Sequence, residues 1–326
     1  MSNFHIVSRV SNWQQHDEQK QQQCLQALQV SASRASARDL KKSAERFQPS
    51  DALLNAINIA IAARAPLLLT GEPGTGKTQV ASYLERFFNI PLYSYQVHSN
   101  SQANELRYDF DAVAYLRDAY LAKQQAPEKN SSDNLQSEPH TDPRSNPRYL
   151  KPAALWQAYQ TEGECVLLID EIDKAPRDFP NDLLQELDQN HFAHPFHQNE
   201  KVENIGAPPI TIITSNGERR LPDAFLRRCM VHHIELDNDL LKAIVTAWDS
   251  QFPELDEDSR ELALQYFKKI RRIRRLSKAP GTAELLLWMS VLSAQNISKE
   301  DLENIELKDL PALECLLKDH NDYQYL

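Results

Sequence analysis

The sequence predicts an α/β fold, in which a parallel sheet carries helices on both faces (an αβα sandwich) and a smaller helical domain follows. Three short apolar runs, LLLT, VLLID and ITIITS, alternate with segments of helical periodicity. Continuously apolar strands of this kind are typical of parallel sheets, because both of their faces are buried. From about Asp237 onward the pattern is helical throughout.

The composition narrows the class of protein. The chain has 326 residues, of which 41% are hydrophobic and 25% charged, as in globular proteins. Its net charge of −10 disfavours general binding to nucleic acid. No apolar stretch is long enough to span a bilayer, and the first residues lack the apolar core of a signal peptide, so a cytoplasmic location is expected. The four cysteines are isolated and predict neither disulfides nor a metal site.

The first part of the chain divides into an arm and the beginning of the sandwich. Residues 1–45 are polar and Gln-rich, which predicts a peripheral extension. Helical spacing of apolar residues between Ala52 and Ile61 predicts a helix that Pro66 ends, and the strand LLLT follows. The predicted core domain spans residues 46–236 and the predicted helical lid spans residues 237–326.

The second part of the core begins with an interruption. Residues 123–148 are rich in Pro, Ser, Asn and Asp, so a disordered loop is predicted there. After the loop the sequence predicts a helix over 152–160, the strand VLLID, a helix over 181–188 and the strand ITIITS.

A phosphate-binding loop is the most specific motif. The segment matches G-x-x-x-x-G-K-[ST] between a predicted strand and a predicted helix over 79–88, which predicts a P-loop NTPase. In this motif backbone N–H groups and the N-terminus of the helix surround the phosphates, the lysine neutralises the β- and γ-phosphates, and the hydroxyl that follows ligates Mg²⁺. The predicted nucleotide-binding residues are Gly71, Glu72, Pro73, Gly74, Thr75, Gly76, Lys77, Thr78 and Gln79, with Thr78 also a predicted Mg²⁺ ligand.

Two carboxylates end the strand VLLID, as in a Walker B motif. Asp170 is predicted to hold Mg²⁺ through water, and Glu171 is predicted to orient and activate the attacking water. The carboxyl ends of parallel strands are where α/β sheets bind ligands. The cofactors predicted by the two motifs together are therefore ATP and Mg²⁺.

Asn216 follows the end of the strand ITIITS. Its amide can both donate and accept hydrogen bonds, so it is suited to aligning the water or sensing the γ-phosphate. The Asn-Gly pair is also a strong turn signal, and the two interpretations are compatible.

Together these motifs resemble the AAA+ superfamily, and more narrowly the MoxR-like ATPases of the helix-2-insert clade. The resemblance extends from about Phe47 to the C-terminal end and rests on GEPGTGKT, VLLIDEIDKA, ITIITSNGERRLPDAFLRRC and KAPGTAELLLW. It implies that Asn216 is sensor 1. It also implies a helix-2 insert near residues 102–120 and a pre-sensor-1 hairpin near residues 191–205.

The same resemblance implies an arginine finger. In the family an arginine after sensor 1 reaches into the neighbouring subunit's site, where a planar, permanently charged guanidinium suits the negative charge of phosphoryl transfer. Arg228 matches that position best and Arg227 second best. The residues also fit a surface helix end with two basic side chains.

The lid of many AAA+ proteins carries an arginine, called sensor 2, at the start of a helix, and this chain departs from that pattern. The corresponding helix start reads Lys278-Ala279-Pro280-Gly281-Thr282 and contains no arginine, so Lys278, Arg274 and Arg275 are candidate substitutes. The basic segment Lys268–Lys278 fits a lid helix that faces the nucleotide or an acidic neighbouring subunit. It also fits a patch that binds nucleic acid, although no aromatic residues lie among its cations to stack bases.

The resemblance implies an Mg-dependent ATPase that forms a ring of six copies and acts as a chaperone on a protein partner, such as one with a von Willebrand A domain. The alternatives are a motor of a nucleic-acid-directed defence or restriction complex, a nucleotide switch that does not hydrolyse ATP, and a small-molecule kinase. The Asp170-Glu171 pair argues against the switch, and a kinase would not need an arginine from a neighbour.

Overall fold

The computed structural model describes residues 47, 49–125, 144, 146, 148–197 and 200–326. The predicted arm therefore lies outside the described residues, as does most of the predicted loop, residues 126–143. The chain divides into two compact units. An α/β unit consists of Pro49–Thr70 and Val80–His233, and a helical unit consists of Gly71–Gln79 and Ile234–Leu326, together with the described residue Phe47.

The central sheet has five strands in the order β2-β5-β8-β1-β9. Its strands are β1 (Leu67–Gly71), β2 (Leu92–Gln96), β5 (Val166–Asp170), β8 (Ile210–Ser215) and β9 (Met230–Ile234). The pairings β2–β5, β5–β8 and β1–β8 are all parallel. The predicted parallel sheet is thus confirmed, as are the three predicted strands.

The helices of the α/β unit mostly connect these strands. They are α1 (Asp51–Ala63), α2 (Gln79–Phe88), α3 (Ala103–Arg107), α4 (Ala112–Gln125), α5 (Ala154–Tyr159), α6 (Phe179–Gln189) and α7 (Asp223–Leu226). Ser50 caps α1 by accepting a hydrogen bond from the N–H of Leu53, and Arg64 ends it in the left-handed conformation. The helix predicted over 152–160 begins at Ala154, because Pro152 lies in a short strand that precedes it.

Burial explains why the strands are apolar along their whole length. Leu67, Leu68 and Leu69 of β1 are at most 1% exposed, and the four apolar residues of β5 are at most 4% exposed. Helices and loops cover both faces of these strands, so alternation with polar residues would leave polar groups buried.

Two small antiparallel sheets are added to the α/β unit. One pairs β3 (Tyr108–Phe110) with β4 (Leu150–Pro152), and the other is the hairpin β6 (His191–Ala193) and β7 (Lys201–Glu203). β3 lies in the region that the family resemblance assigns to a helix-2 insert, whereas β4 lies outside it, and the hairpin lies in the region assigned to a pre-sensor-1 hairpin. The ring of Phe196 in the hairpin loop packs 4.8 Å from that of Phe110, so the two additions contact each other.

The helical unit has its own core. Its helices are α8 (Asn238–Ala247), α9 (Glu257–Arg271), α10 (Thr282–Ala294) and α11 (Lys299–Leu302), followed by short 3₁₀ segments up to Tyr325. Phe267 of α9 and Trp288 of α10 are fully buried, and the indole N–H of Trp288 donates to the carbonyl of Pro311 at 2.7 Å. Among the described residues, no helix is long and apolar enough to cross a bilayer.

The basic segment Lys268–Lys278 is helical only in its first four residues, contrary to the predicted basic helix. Helix α9 ends at Arg271, and the chain then turns. The buried carboxylate of Asp322 accepts hydrogen bonds from the backbone N–H and the hydroxyl of Ser277, at 2.9 and 2.7 Å. These tertiary contacts fix a turn where the charge pattern alone indicated a helix.

Candidate functional site

The predicted phosphate loop forms a tight turn between β1 and α2. Gly74 and Gly76 have φ of +84° and +88°, where a residue with a side chain would be strained. A Cβ on Gly74 would lie 1.9 Å from the hydroxyl oxygen of Thr282, and one on Gly76 would lie 2.8 Å from the ring of Phe47. These two positions therefore need glycine both for their backbone conformation and for the space around them.

The ammonium group of Lys77 lies inside this loop. The residue is 6% exposed, and its Nζ donates to the carbonyls of Gly71 and Glu72 at 2.8 and 2.7 Å. The hydroxyl of Thr75 also donates to the carbonyl of Glu72, at 2.9 Å. The loop is thus closed around a buried positive charge, next to Thr78 and the N-terminus of α2 at Gln79.

Residues of the helical unit contact the loop at two further points. The hydroxyl of Thr282, at the start of α10, donates to the carbonyl of Gly74 at 2.6 Å. The guanidinium of Arg271, at the end of α9, pairs with the carboxylate of Glu72 at 2.8 Å. The sequence placed Arg271 in the basic segment but gave no reason to connect it with the loop, because the two residues are 199 positions apart.

A mostly apolar cavity of about 190 Å³ adjoins the loop within the helical unit. An apolar cavity lined by aromatic side chains beside a loop of backbone N–H groups suits a ligand with a flat base and an anionic tail. The loop, its buried lysine and this cavity therefore fit a nucleotide. The lining residues include Phe47, Gly76, Gln79, Ile244, Trp248 and Leu286.

In the α/β unit, Asp170 and Glu171 lie at the carboxyl end of β5. Glu171 has φ 58° and ψ 48°, a left-handed conformation that is uncommon for a residue with a side chain. The hydroxyl of Thr214, on the neighbouring strand β8, accepts from the N–H of Glu171 at 2.8 Å and donates to Asp170 Oδ1 at 2.6 Å. This buried hydroxyl holds both acidic residues, and the strained backbone conformation at Glu171 re-aims its side chain.

Three side chains donate hydrogen bonds to the Glu171 carboxylate. They are Lys174 at 2.5 Å, Gln96 at 3.2 Å and Asn216 at 3.2 Å. Partial burial favours the neutral acid, but these hydrogen bonds outweigh burial and hold the pKa of Glu171 below its ordinary value. Glu171 is therefore ionised at neutral pH, as a general base must be.

Asn216 is held at this site by its backbone as well. The buried carboxylate of Asp173 accepts from the N–H groups of Asn216 and Glu218 at 3.2 and 2.9 Å. The structure thus brings Asp170, Glu171 and Asn216 together at the carboxyl edge of the sheet. Sequence reasoning missed the supporting residues Gln96, Asp173, Lys174 and Thr214, although Asp173 and Lys174 lie within the quoted VLLIDEIDKA run.

Arg227 and Arg228, the two finger candidates, are both exposed at the end of α7. Arg228 pairs with Asp188 of α6 at 2.6 Å, and the two side chains are 45% and 46% exposed. An exposed pair of this kind is worth little energy, so a stronger anionic partner could replace Asp188.

The candidate Mg²⁺ ligands supply oxygen atoms. Thr78 offers a hydroxyl within the loop, and Asp170 offers a carboxylate at the strand end. Proteins bind Mg²⁺ through one or two such groups while phosphates and waters complete the shell, so these donors fit the ion. No group of three or more His, Cys, Asp or Glu with the geometry of a metal site occurs in the part of the chain that the structure describes.

Comparison with known proteins places the chain in a family. The model for the AAA domain (dynein-related subfamily) matches residues 66–229, half of the chain. No curated protein matches the sequence. Among solved structures, NtrX from Brucella abortus in complex with ADP is 16% identical over 92% of this chain, with a TM-score of 0.43.

A candidate ATPase from Cytophaga hutchinsonii is 12% identical over 83% of this chain and 84% of its own, with a TM-score of 0.38. The present chain spans only 62% of the NtrX chain. The family match, which includes the phosphate loop, Asp170 and Glu171 at the end of β5, and Asn216, carries the assignment. This protein belongs to the AAA domain family, in its dynein-related subfamily.

Proposed function

We propose that the protein is an ATP-binding and ATP-hydrolysing AAA+ motor of MoxR type, which forms a ring and remodels a protein partner. The observation that carries the hydrolytic part is the arrangement around Glu171. A carboxylate held ionised by three donors at the carboxyl edge of the sheet has the charge and position of a general base. A switch that only binds nucleotide would not need such a group.

Some residues of the site bind ATP, and others take part in its hydrolysis. Lys77, Thr78 and the backbone N–H groups of Gly71–Gln79 bind the phosphates of ATP, and Asp170 with Thr78 holds Mg²⁺. ATP with its magnesium supplies an activated terminal phosphoryl group. Glu171 accepts the proton of the attacking water, and Asn216 orients the carboxylate and the water.

Two substitutions distinguish ATP binding from ATP hydrolysis. Lys77→Ala should lose ATP binding, whereas Glu171→Gln should bind ATP and lose about 10²- to 10⁴-fold in turnover, because general-base catalysis contributes about that much. Binding is measured with a fluorescent ATP analogue and turnover by phosphate release, with and without Mg²⁺. Lys308→Ala, at an exposed lysine of the helical unit, is the control. Normal turnover by Glu171→Gln would refute the proposed base.

We further propose that the subunits form a ring in which each subunit supplies an arginine finger to its neighbour. Arg228, or Arg227 in second place, reaches the ATP of a neighbouring subunit in a hexamer. The exposure of both side chains and the weak pairing of Arg228 with Asp188 support this, since the finger must be released to contact another subunit.

The MoxR-type chaperone role is supported by the hairpin of β6 and β7 and by the position of β3, which lie in the regions that the family resemblance assigns to a pre-sensor-1 hairpin and a helix-2 insert. A partner with a von Willebrand A domain should stimulate ATP turnover, whereas an unrelated globular protein of similar size should not. Equal stimulation by both proteins would argue against a specific partner of this type.

A nucleic-acid-directed motor is the second candidate function. Its support is the exposed cluster Arg272, Arg274, Arg275 and Lys278, which contrasts with the net charge of −10. Single- or double-stranded DNA should then stimulate ATP turnover in a salt-dependent manner. Neutralising Arg274 and Arg275 to Gln should abolish that stimulation.

A further inference from the structure

The helical unit carries opposite charges at the two ends of helix α9. Near its N-terminal end lies an acidic cleft, an open cavity of about 340 Å³ whose lining includes Asp249, Glu257 and Glu261. Its C-terminal end leads into a basic turn, formed by the exposed side chains of Arg272, Arg274, Arg275 and Lys278. Since the 15 residues of α9 span about 22 Å, one helical unit presents two separate surfaces of opposite sign.

The fold holds the basic turn in a fixed shape. The backbone N–H of Ile273 donates to the carbonyl of Ile270 at 3.0 Å. Ser277 is held through its N–H and its hydroxyl by the buried carboxylate of Asp322. A binding segment that is already ordered loses little conformational entropy when a partner binds it.

The cations of the basic turn have no anionic partner within the part of the chain that the structure describes. None of the four side chains forms a hydrogen bond or an ion pair with the described residues. Four like charges on one turn repel one another, and an anionic surface that binds them relieves this repulsion. The basic turn is therefore a preformed site for an acidic partner.

The acidic cleft lies between α8 and the first turns of α9. Asp249, Glu257 and Glu261 are exposed, and their carboxylates form no ion pair with other described residues. Lys242 and Arg260 also line the cleft, but Arg260 Nε is directed to the backbone carbonyl four residues before it, at 3.2 Å. Carboxylates outnumber cations here, so the cleft suits a guanidinium, whose planar fork of N–H donors matches carboxylate oxygens.

We propose that the basic turn of one copy binds in the acidic cleft of a second copy, with Arg274 and Arg275 contacting Glu257 and Glu261. This inference rests on the proposed ring and names the surfaces that join its helical units. The two surfaces differ, so the contact runs head to tail, and such contacts generate closed rings or open filaments. A nucleic acid would occupy the basic turn but leave the acidic cleft without a function, whereas a second copy accounts for both surfaces.

Charge reversal tests this contact through the molar mass of the assembly. Arg274→Glu/Arg275→Glu reverses the basic turn, and Glu257→Arg/Glu261→Arg reverses the acidic cleft. A third chain carries all four substitutions. Molar mass is measured by analytical ultracentrifugation with a non-hydrolysable ATP analogue, over a range of protein and salt concentrations, and the melting temperature of each variant is recorded.

Reversal of either surface should raise the protein concentration at half-assembly by about tenfold or more, because it places like charges opposite each other. The chain with all four substitutions should assemble as the wild type does, since its two surfaces are complementary again. An equimolar mixture of the two single-surface variants should assemble as well, although neither does so alone. Wild-type assembly should weaken as the salt concentration rises.

Lys308→Glu/Lys318→Glu is the matched control, which should assemble normally. It changes the net charge as much as reversal of the basic turn does, at two exposed lysines of the same unit. Assembly of either single-surface variant at wild-type concentrations would overturn the contact, as would failure of the chain with all four substitutions to recover. A wild type that stays monomeric with the ATP analogue would instead refute the proposed ring.

Neutral substitutions replace any reversal that lowers the melting temperature. They are Arg274→Gln/Arg275→Gln for the basic turn and Glu257→Gln/Glu261→Gln for the acidic cleft. Each removes the attraction without introducing repulsion, so assembly should still weaken. Assembly unchanged in these neutral variants would also overturn the contact.

Discussion

Lys174 shows how a single side chain sets the chemistry of its neighbour. It gives the Glu171 carboxylate its shortest hydrogen bond, and the same contact raises the pKa of Lys174. Both groups are therefore stabilised in their charged forms. Because Lys174 is 39% exposed on its side chain, it can be replaced without opening the core.

Lys174→Gln should move the acid limb of the ATPase pH profile to higher pH. Glu171 acts as a base only when ionised, and its lowered pKa keeps it ionised as the pH falls. Without Lys174 that pKa rises, so activity is lost at a higher pH. Turnover at saturating ATP is measured across the acid range, with Lys308→Gln, whose partner is the exposed Glu306, as control. An unmoved acid limb would show that Lys174 does not set this pKa.

Thr214→Val tests the hydroxyl that holds the two acidic residues. The substitution keeps the shape of the side chain but removes the donor to Asp170 and leaves the N–H of Glu171 without its acceptor. The free energy of unfolding should fall by about 1–3 kcal/mol, the cost of a buried unsatisfied group.

Chemical denaturation measures the effect of Thr214→Val. Thr211→Val is the matched control in the same strand, since its hydroxyl donates only to the nearby carbonyl of Pro209 at 3.2 Å. Equal losses in the two variants would mean that the contact with the acidic residues adds nothing to stability.

At the scale of elements, the turn between β1 and α2 depends on the start of α10. Thr282 fills the space beside Gly74, so a methyl group at Gly74 would collide with its hydroxyl. The loop and α10 therefore constrain each other's position within the helical unit.

Gly74→Ala should weaken nucleotide binding, because the loop must leave its left-handed conformation and its contact with Thr282. Strain of this kind costs about 1–3 kcal/mol per residue. Titration with a fluorescent nucleotide gives the affinity. Gly163→Ala is the control, since a Cβ there would meet no atom within 4 Å. Unchanged affinity in Gly74→Ala would indicate that the loop tolerates a shift without losing its ligand.

At the scale of the whole molecule, the proposed ring needs residues from two copies. Arg228→Ala alone should be inactive, as should Lys77→Ala alone, but a mixture of the two should regain activity where an intact Arg228 meets an intact loop. A finger supplied by a neighbour is worth about 10³- to 10⁵-fold in rate.

Phosphate release from the mixtures is measured over a range of protein concentrations, with molar mass determined in parallel. Arg220→Ala serves as control, because Arg220 also makes an exposed pair, with Asp223 at 3.1 Å. No recovery in the mixtures, or a rate per subunit that does not change on dilution of a monomer, would rule out the ring.

The sequence by itself determined three of the five strands of the central sheet, the phosphate loop and the identity of the two acidic residues. These features are local in the sequence. A buried strand corresponds to a short apolar run, and the residues of the loop are contiguous around Lys77. The parallel sheet followed because such strands alternate with helices. The predicted domain limits, site roles and cofactors stay predictions.

Only the tertiary structure decided which side chains support the site. Gln96, Thr214 and Glu171 meet because β2, β5 and β8 are neighbours in the sheet, and no periodicity along the chain contains that pairing. The same holds for Arg271, which appeared to be one cation in a basic helix until the turn at Ser277 and the contact with Glu72 were seen. The charge of a segment can be read from its own residues. A hydrogen bond between distant residues depends on which segments the folded core brings together.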